Sequence, residues 1–408
     1  NFRFTVGRAI YKGLARFMAE RKGRELVIQP LPVKDFQIKK TATDHYRLSW
    51  KPTPDRLEPT AMPDRYIIME RSGDDLGFHK IGETKSTSFD IKVTDHDVHS
   101  FYIIAANAGG SAFPSETLAL REGTENEKPI LIVNGFTRIS APGHYSTSST
   151  AGFDSESDFG VPYIKDISFT GHQTEFRRSA GNNFGHSNQN YVTQVIAGNT
   201  FDYPAVHGNA FSENNLGFVS ASASAVEEGE VKLSDYPLVD LILGKQKSTL
   251  IGRGNNGVHY RAFPVKLQKA IRQYVEKGGD MIISGEYVAS DILDSRSSVD
   301  DRKFAHDILG IDSVASDTYK SGRLRETANG KVIKYSSTLN SHNYIVEKPD
   351  ILIPAQESKT TEFLTFSDSG RRAGHIVEHG KGKIAVLTVP IESMTETTDR
   401  TRLIREIK

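Results

Sequence analysis

At 408 residues, with 37% hydrophobic and 25% charged side chains, the sequence has the make-up of two or three globular domains. Lys plus Arg equal Asp plus Glu at 51 each, so no global field selects nucleic acid or an anionic membrane as a partner, and no apolar run reaches membrane-spanning length. Cysteine is absent, which removes disulfides, thiolate zinc sites and cysteine nucleophiles, and fits an exported protein, secreted or periplasmic. The start at Asn1, without Met, reads as a processed product or a fragment.

Gly7 to Arg21 is predicted as an amphipathic helix with Ile10, Leu14, Phe17 and Met18 on one face, a face that needs something to pack on. Leu26-Val27-Ile28 reads as a strand-like tag and Gln29-Pro30-Leu31-Pro32 as a stiff linker. The helix resembles the closing helix of zinc-type N-acetylmuramoyl-L-alanine amidase domains. That resemblance implies an upstream amidase-type domain as a partner. The metal ligands of the family precede this helix, so none is carried by this sequence. The alternative is a helix that simply packs on the domain after it.

From Val33 to Glu122 short alternating strands are expected at Phe36–Ile38, Tyr46–Trp50, Tyr66–Glu70, His79–Ile81 and Ser100–Ala106, separated by turn clusters such as Ser72-Gly73-Asp74-Asp75. Leu48-Ser49-Trp50, Tyr66 with Arg71, and Ile103 to Ser111 with Pro114-Ser115 resemble a fibronectin type III domain over residues 31–122. His99 stands where that family has its corner tyrosine. Trp50 and Tyr66 are read as core rather than as ligand contacts.

After a polar connector, Glu122 to Lys128, the continuous apolar run Pro129-Ile130-Leu131-Ile132-Val133 begins a sheet buried on both faces. Residues 140–220 are rich in Ser, Gly, Asn and His and read as an elaborated crossover with a helix near Tyr191 to Ala197. Further strands are expected at Leu216–Ser220 and Leu238–Leu243. A helix from Pro264 to Lys277 then stops at Gly278-Gly279, and Asp280 to Leu293 forms a strand, a tight turn and a helix start. A helix over Asp301 to Leu309, hairpin-like strands from Lys331 to Phe366, closing strands at Arg372–Val377 and Lys383–Pro390, and a terminal helix over Thr398 to Lys408 complete the chain. This alternation gives an α/β, flavodoxin-like doubly wound sheet over residues 128–408, and a multidomain protein with the β-sandwich in front of it, residues 1–30 being the helical remnant or linker.

Tyr274-Val275-Glu276-Lys277-Gly278-Gly279 before the elbow and Gly380-Lys381-Gly382-Lys383 before the last strand resemble class I glutamine-amidotransferase-like domains, within them the ThuA-like group. The whole order resembles exported bacterial proteins commonly labelled xanthan lyases. Amidotransferase chemistry needs a Cys on the elbow with a His and a Glu after the last strand. Here Ser284-Gly285-Glu286 occupies the elbow and Pro390-Ile391-Glu392 the other position, so glutaminase activity is excluded. Glu286 could serve as a buried, proton-carrying acid, or be a helix N-terminal glutamate. Ser284 could be a nucleophile only without the G-x-S-x-G pattern. Asn134, Arg138 and Asp291 are candidate substrate-binding residues, and Glu392 keeps the family's carboxylate position. Gly252 to Gly257 matches G-x-G-x-x-G but opens no helix, and reads as a loop over the crevice. Asp154 to Gly160 alternates carboxylates without the Gly and Glu that a calcium loop requires. No zinc spacing is present among the 13 His. No cofactor or metal is expected. Two functions fit: a glycan- or envelope-binding accessory region with a degenerate sheet domain, or a carboxylate-dependent polysaccharide hydrolase or lyase. The partner in either case is a polysaccharide or peptidoglycan.

Overall fold

The computed structural model describes residues 2–407 apart from 74, 125–126, 154–156, 167–171, 174–175, 178–186, 189–193, 251–256, 316–321 and 357. The predicted loop at Gly252 to Gly257 and most of the Asp154–Glu156 carboxylate run lie outside the described residues. Helix α1 spans Phe2–Lys22. It meets the following domain with its polar side. Arg8 and Lys12 pair with Asp55 at 2.9 and 2.7 Å, and the Tyr11 hydroxyl accepts from Gln29 N at 3.2 Å. The helix thus packs on the domain after it, but Ile10, Leu14, Phe17 and Met18 on its apolar face are more than half exposed. Leu26-Val27-Ile28 is not a strand, although Ile28 is buried.

Strands β1 (Lys34–Ala42), β2 (His45–Lys51) and β5 (Ser88–Lys92) form one sheet of a sandwich. Its other sheet holds β3 (Arg65–Ser72), β4 (His79–Thr84), β6 (His99–Asn107), β7 (Gly110–Ser111) and β8 (Leu118–Leu120). The alternation that made these strands legible puts Phe36, Leu48, Trp50, Tyr66, Ile68, Phe101 and Ile103 between the sheets. Trp50 is the hub, with its ring edge-on to Tyr66 at 5.3 Å and to Phe36 at 6.5 Å. His99, in the corner position, is clamped by Glu70 at 2.9 Å and Asp95 at 2.8 Å. Burial opposes its charge, but the two carboxylates raise its pKa above the usual imidazole value.

The second layer system starts at β9 (Ile130–Asn134) and continues with β10 (Phe218–Ser222), β11 (Leu238–Gly244) and β12 (Asp280–Gly285). After these come β13 (Arg323–Glu326), β14 (Val332–Lys334), β15 (Thr360–Phe366), β16 (Arg372–His379) and β17 (Gly382–Leu387). β10, β9, β11, β12 and β17 lie side by side and parallel, in that order, and β16, β15, β13 and β14 extend the far edge antiparallel. Ranked along the chain, the parallel strands stand 2-1-3-4-5, so the winding reverses between β9 and β11. Helices cover both faces. α3 (Ala223–Glu227), α4 (Val265–Val275) and α5 (Val299–Asp307) bury Leu131, Val133, Leu241 and Ile283 on one side, whereas α2 (Tyr203–Ser212) and α6 (Thr397–Ile407) bury Ile132, Ile242 and Ile282 on the other.

The two systems share a seam. β10 pairs antiparallel with β1 at Ala221 and Gln37, so the sandwich sheet continues the parallel one. The Ser220 hydroxyl accepts from Ala119 N at 2.8 Å and donates to Ala119 O at 2.7 Å, sealing the junction with β8. Two further sequence expectations change. Residues 194–197 are not helical; Ile196–Ala197 is a short strand, and the helix of the insertion is α2, started by Asp202 with Pro204 in its first turn. After β12 the chain makes successive turns over residues 286–293 rather than opening a helix, because the Asp350 carboxylate takes the Ala289 and Ser290 N–H groups at 2.8 Å each.

Candidate functional site

Ser222, Asn134, Ile242, Ser284 and Leu387 stand in one row across the carboxyl ends of the parallel strands. The loops that follow carry the charged groups. Gly244 ends β11 at φ +48°, and a Cβ there would sit 2.3 Å from the Phe136 ring, so glycine allows Lys245 to turn back over the strand ends. Lys245 is fully buried and its Nζ donates to both Glu347 oxygens at 2.6 and 2.7 Å. Glu286 Oε2 lies 3.9 Å from the same Nζ, while Glu286 Oε1 accepts from Lys348 N at 2.7 Å. Arg138 makes a forked pair with Asp158 and donates to Lys245 O at 3.2 Å. Glu347 also accepts from Phe159 N.

Two buried cations thus face three buried carboxyl groups. A net charge in this setting is expensive, and the least solvated carboxyl yields. Burial, with Glu347 adding to it, holds the Glu286 pKa well above the carboxylate range and favours its protonated form. Burial pushes Asp158 the same way, but Arg138 and Lys245 overcome it and keep Asp158 ionised. Asp158, met in the sequence as part of an irregular calcium-like run, is the counterion of Arg138.

A second cluster lies on the α2 side of the sheet. His207, from α2, joins Asp240 Oδ2 at 2.6 Å through Nδ1 and Glu392 Oε2 at 3.0 Å through Nε2, and none of the three is more than 2% exposed. Burial alone would discharge this imidazole; the Asp240 carboxylate and then Glu392 push its pKa up to about 10, so it is an imidazolium donating both N–H groups. The Tyr344 hydroxyl donates to Glu392 Oε1 at 2.7 Å, and its ring stacks edge-on against Phe136 and Tyr203 at 5.2 and 5.7 Å. Glu392 therefore has a His partner after all, though one from a helix nearly two hundred residues earlier in the chain. Sequence reasoning missed His207, Lys245 and Glu347. The available signal was Asp240, a charge inside the apolar run Leu238-Val239-Asp240-Leu241-Ile242-Leu243 that had to be paired.

The remaining candidates separate. Asn134 Nδ2 donates to Glu116 at the sandwich junction, at 2.5 Å, away from the Lys245 network. Burial pushes Glu116 up to about 7. Asp291 accepts from Ser248 N at 2.6 Å and Ala262 N at 2.8 Å, tying two loops together. The Ser284 hydroxyl is buried and has no hydrogen-bond partner among the described residues. Arg138 and Glu286 share one network through Lys245, and Glu392 joins the other. A strap, Ser336 to Asp350, lies over both. Tyr344, Glu347, the Lys348 N–H and the Asp350 N–H, which bonds Glu286 O at 3.1 Å, all reach the strand ends from it. No group of three or more Asp, Glu, His or Cys arranged to hold a metal occurs among the described residues.

No protein-family model matches this sequence, and no curated protein matches it. Solved structures that it resembles include fibronectin type III domains. Domains A168–A170 of titin match at 20% identity over 22% of this chain and 30% of that one, with a TM-score of 0.20. The domain of human fibronectin type III domain containing protein 3 matches at 19% identity over 23% and 85%, with a TM-score of 0.20. The fourth FNIII domain of a human protein matches at 13% identity over 24% of this chain and 84% of that one, with a TM-score of 0.21. This chain thus spans under a third of the titin structure. The sandwich assignment rests on its own strand pairing and the Trp50 core, which are fibronectin type III-like.

Proposed function

We propose that this chain is a non-catalytic accessory region of an exported, polysaccharide- or envelope-directed protein, in which a degenerate, amidotransferase-like domain of flavodoxin-like, doubly wound topology serves as a scaffold. One observation carries the reading. Glu286, the foremost candidate for acid–base work, is fully buried, and among the described residues its carboxyl accepts from the Lys348 N–H and lies 3.9 Å from Lys245 Nζ. A general acid must come within about 3 Å of the group it protonates, and here the strap occupies that space. The strand order 2-1-3-4-5 supports the flavodoxin-like assignment. The outward apolar stripe of α1 is where we place the amidase-type neighbour that the helix sequence suggests.

The test is turnover by the purified chain. Glutamine, muramoyl-peptide fragments and acidic polysaccharides should all remain uncleaved. Release of reducing ends or unsaturated sugars that disappears in Glu286→Gln would overturn the reading and make the chain a carboxylate-dependent enzyme.

A further inference from the structure

Phe4, Phe113, Tyr163 and Phe201 form a row on the surface, with successive ring centroids 6.4, 6.4 and 5.8 Å apart. They come from four separate segments: α1, the sandwich loop after β7, the insertion after β9, and the turn before α2. Phe4, Phe113 and Tyr163 are 47%, 53% and 47% exposed, an unfavourable display for aromatic carbon unless something covers it.

The backbone that presents two of these rings is strained. Ile164 and Phe201 have φ of +62° and +60°, a region disfavoured for branched and bulky side chains. Among the described residues, Tyr260 is the one other branched or bulky residue in that conformation; the remaining non-glycine cases are Asp and Asn. Such strain persists only where surroundings enforce it, and it gathers at binding sites. The enforcement is visible. Asn199, fully buried, donates through Nδ2 to Phe136 O at 2.7 Å and accepts from Phe201 N through Oδ1 at 2.8 Å. Phe201 O accepts from Thr117 N at 2.8 Å, and Gly198 packs so tightly that a Cβ would lie 1.9 Å from Pro162 O. The turn that carries Phe201 is thus anchored through Asn199 to Phe136, just after β9.

The rim is polar. Lys165 is exposed, and Thr200 and Asp202 are half-buried and bonded to each other. A pyranose ring presents an apolar C–H face and a hydroxylated edge, which such tilted rings with charged and hydroxyl neighbours match. A buried apolar ligand would require an enclosed groove instead.

We propose that Phe4, Phe113, Tyr163 and Phe201 are the docking row for an extended oligosaccharide, stacked on the rings and hydrogen-bonded at the rim. This deepens the accessory reading above and rests on it. Native electrophoresis of the whole chain through gels containing xanthan, hydroxyethylcellulose or glycol chitin tests it. The wild-type chain should be retarded in at least one gel. Phe113→Ala combined with Tyr163→Ala should weaken the apparent affinity at least tenfold with an unchanged melting temperature, while Tyr163→Phe and Leu14→Ala should migrate like the wild type. Retardation that survives the double substitution would overturn the row and leave the accessory reading standing. Lack of retardation in every gel would overturn the row and leave the non-catalytic reading to its own turnover test. A dimer, seen by sedimentation, that dissociates on the double substitution without any glycan effect would make the row a self-association surface and sink the proposal.

Discussion

The carboxyl ends of the parallel strands and the aromatic row beside the sandwich treat their side chains in opposite ways. At the strand ends, where open sheets of this kind place ligands, charges are pulled inside and matched against one another until Lys245, Glu286, His207 and Glu392 are each at most 2% exposed. Along the row, aromatic carbon is held out in water on a backbone strained into place at Ile164 and Phe201. The difference teaches where this chain has spent its specificity. The charged groups at the strand ends are packed as core, and the exposed aromatic row lies to their side.

The sharpest way to break that comparison is to remove the cation from the His207 cluster. His207→Gln leaves Asp240 and Glu392 buried without their shared counterion, which costs about 3–5 kcal/mol in comparable buried pairs. Denaturant unfolding at pH 7 measures it. The sign of the pH dependence follows from the raised pKa. The stabilisation is fully present below the unfolded imidazole value of 6.5 and fades as pH climbs through about 10. A loss under about 1 kcal/mol at pH 7 would mean that the imidazole is neutral and the cluster a mere packing contact.

The seam between sandwich and sheet is a smaller test. Ser220→Ala strands the buried Ala119 N–H and C=O together, with an expected loss of about 1–3 kcal/mol. Two separate unfolding transitions in the variant, where the wild type shows one, would indicate that this hydroxyl couples the two halves. No change in stability would show that β8 and β10 hold together without it.

Much of the fold was legible because it depends on local periodicity. Trp50 and Tyr66 alternate into the sandwich core, and the apolar runs at Ile130–Val133 and Leu238–Leu243 can only be strands covered on both faces. The misplaced helix of the insertion shows the limit. Tyr191 to Ala197 carried an apolar pattern, but Asp202-Tyr203-Pro204 carried the start signal, and the helix follows the signal. The site was half legible. Glu286 could be found from its elbow and Glu392 from the last strand. Their partners could not, because Lys245, Glu347, Asp158 and His207 reach them across 41 to 185 residues of sequence or through one another. Only the tertiary fold says that a carboxyl on the elbow will meet a lysine already committed to another glutamate.

That commitment is the core of the account, and Glu286→Gln tests it most directly. Glutamine keeps the Oε1 acceptor for Lys348 N and mimics the protonated acid. Because burial raises the Glu286 pKa, the folded state holds a proton that the unfolded chain gives up above about pH 4.5, so native Glu286 costs stability increasingly as pH rises between the two values, at about 1.4 kcal/mol for each pH unit in that window. Chemical denaturation of both proteins from pH 4 to pH 9 should give equal stabilities near pH 4 and a growing advantage for Glu286→Gln toward neutral pH. A variant that is instead less stable at pH 7 than at pH 4, relative to the wild type, would show that Glu286 is an ionised partner of Lys245 and contradict the neutral, sealed carboxyl on which the non-catalytic reading stands.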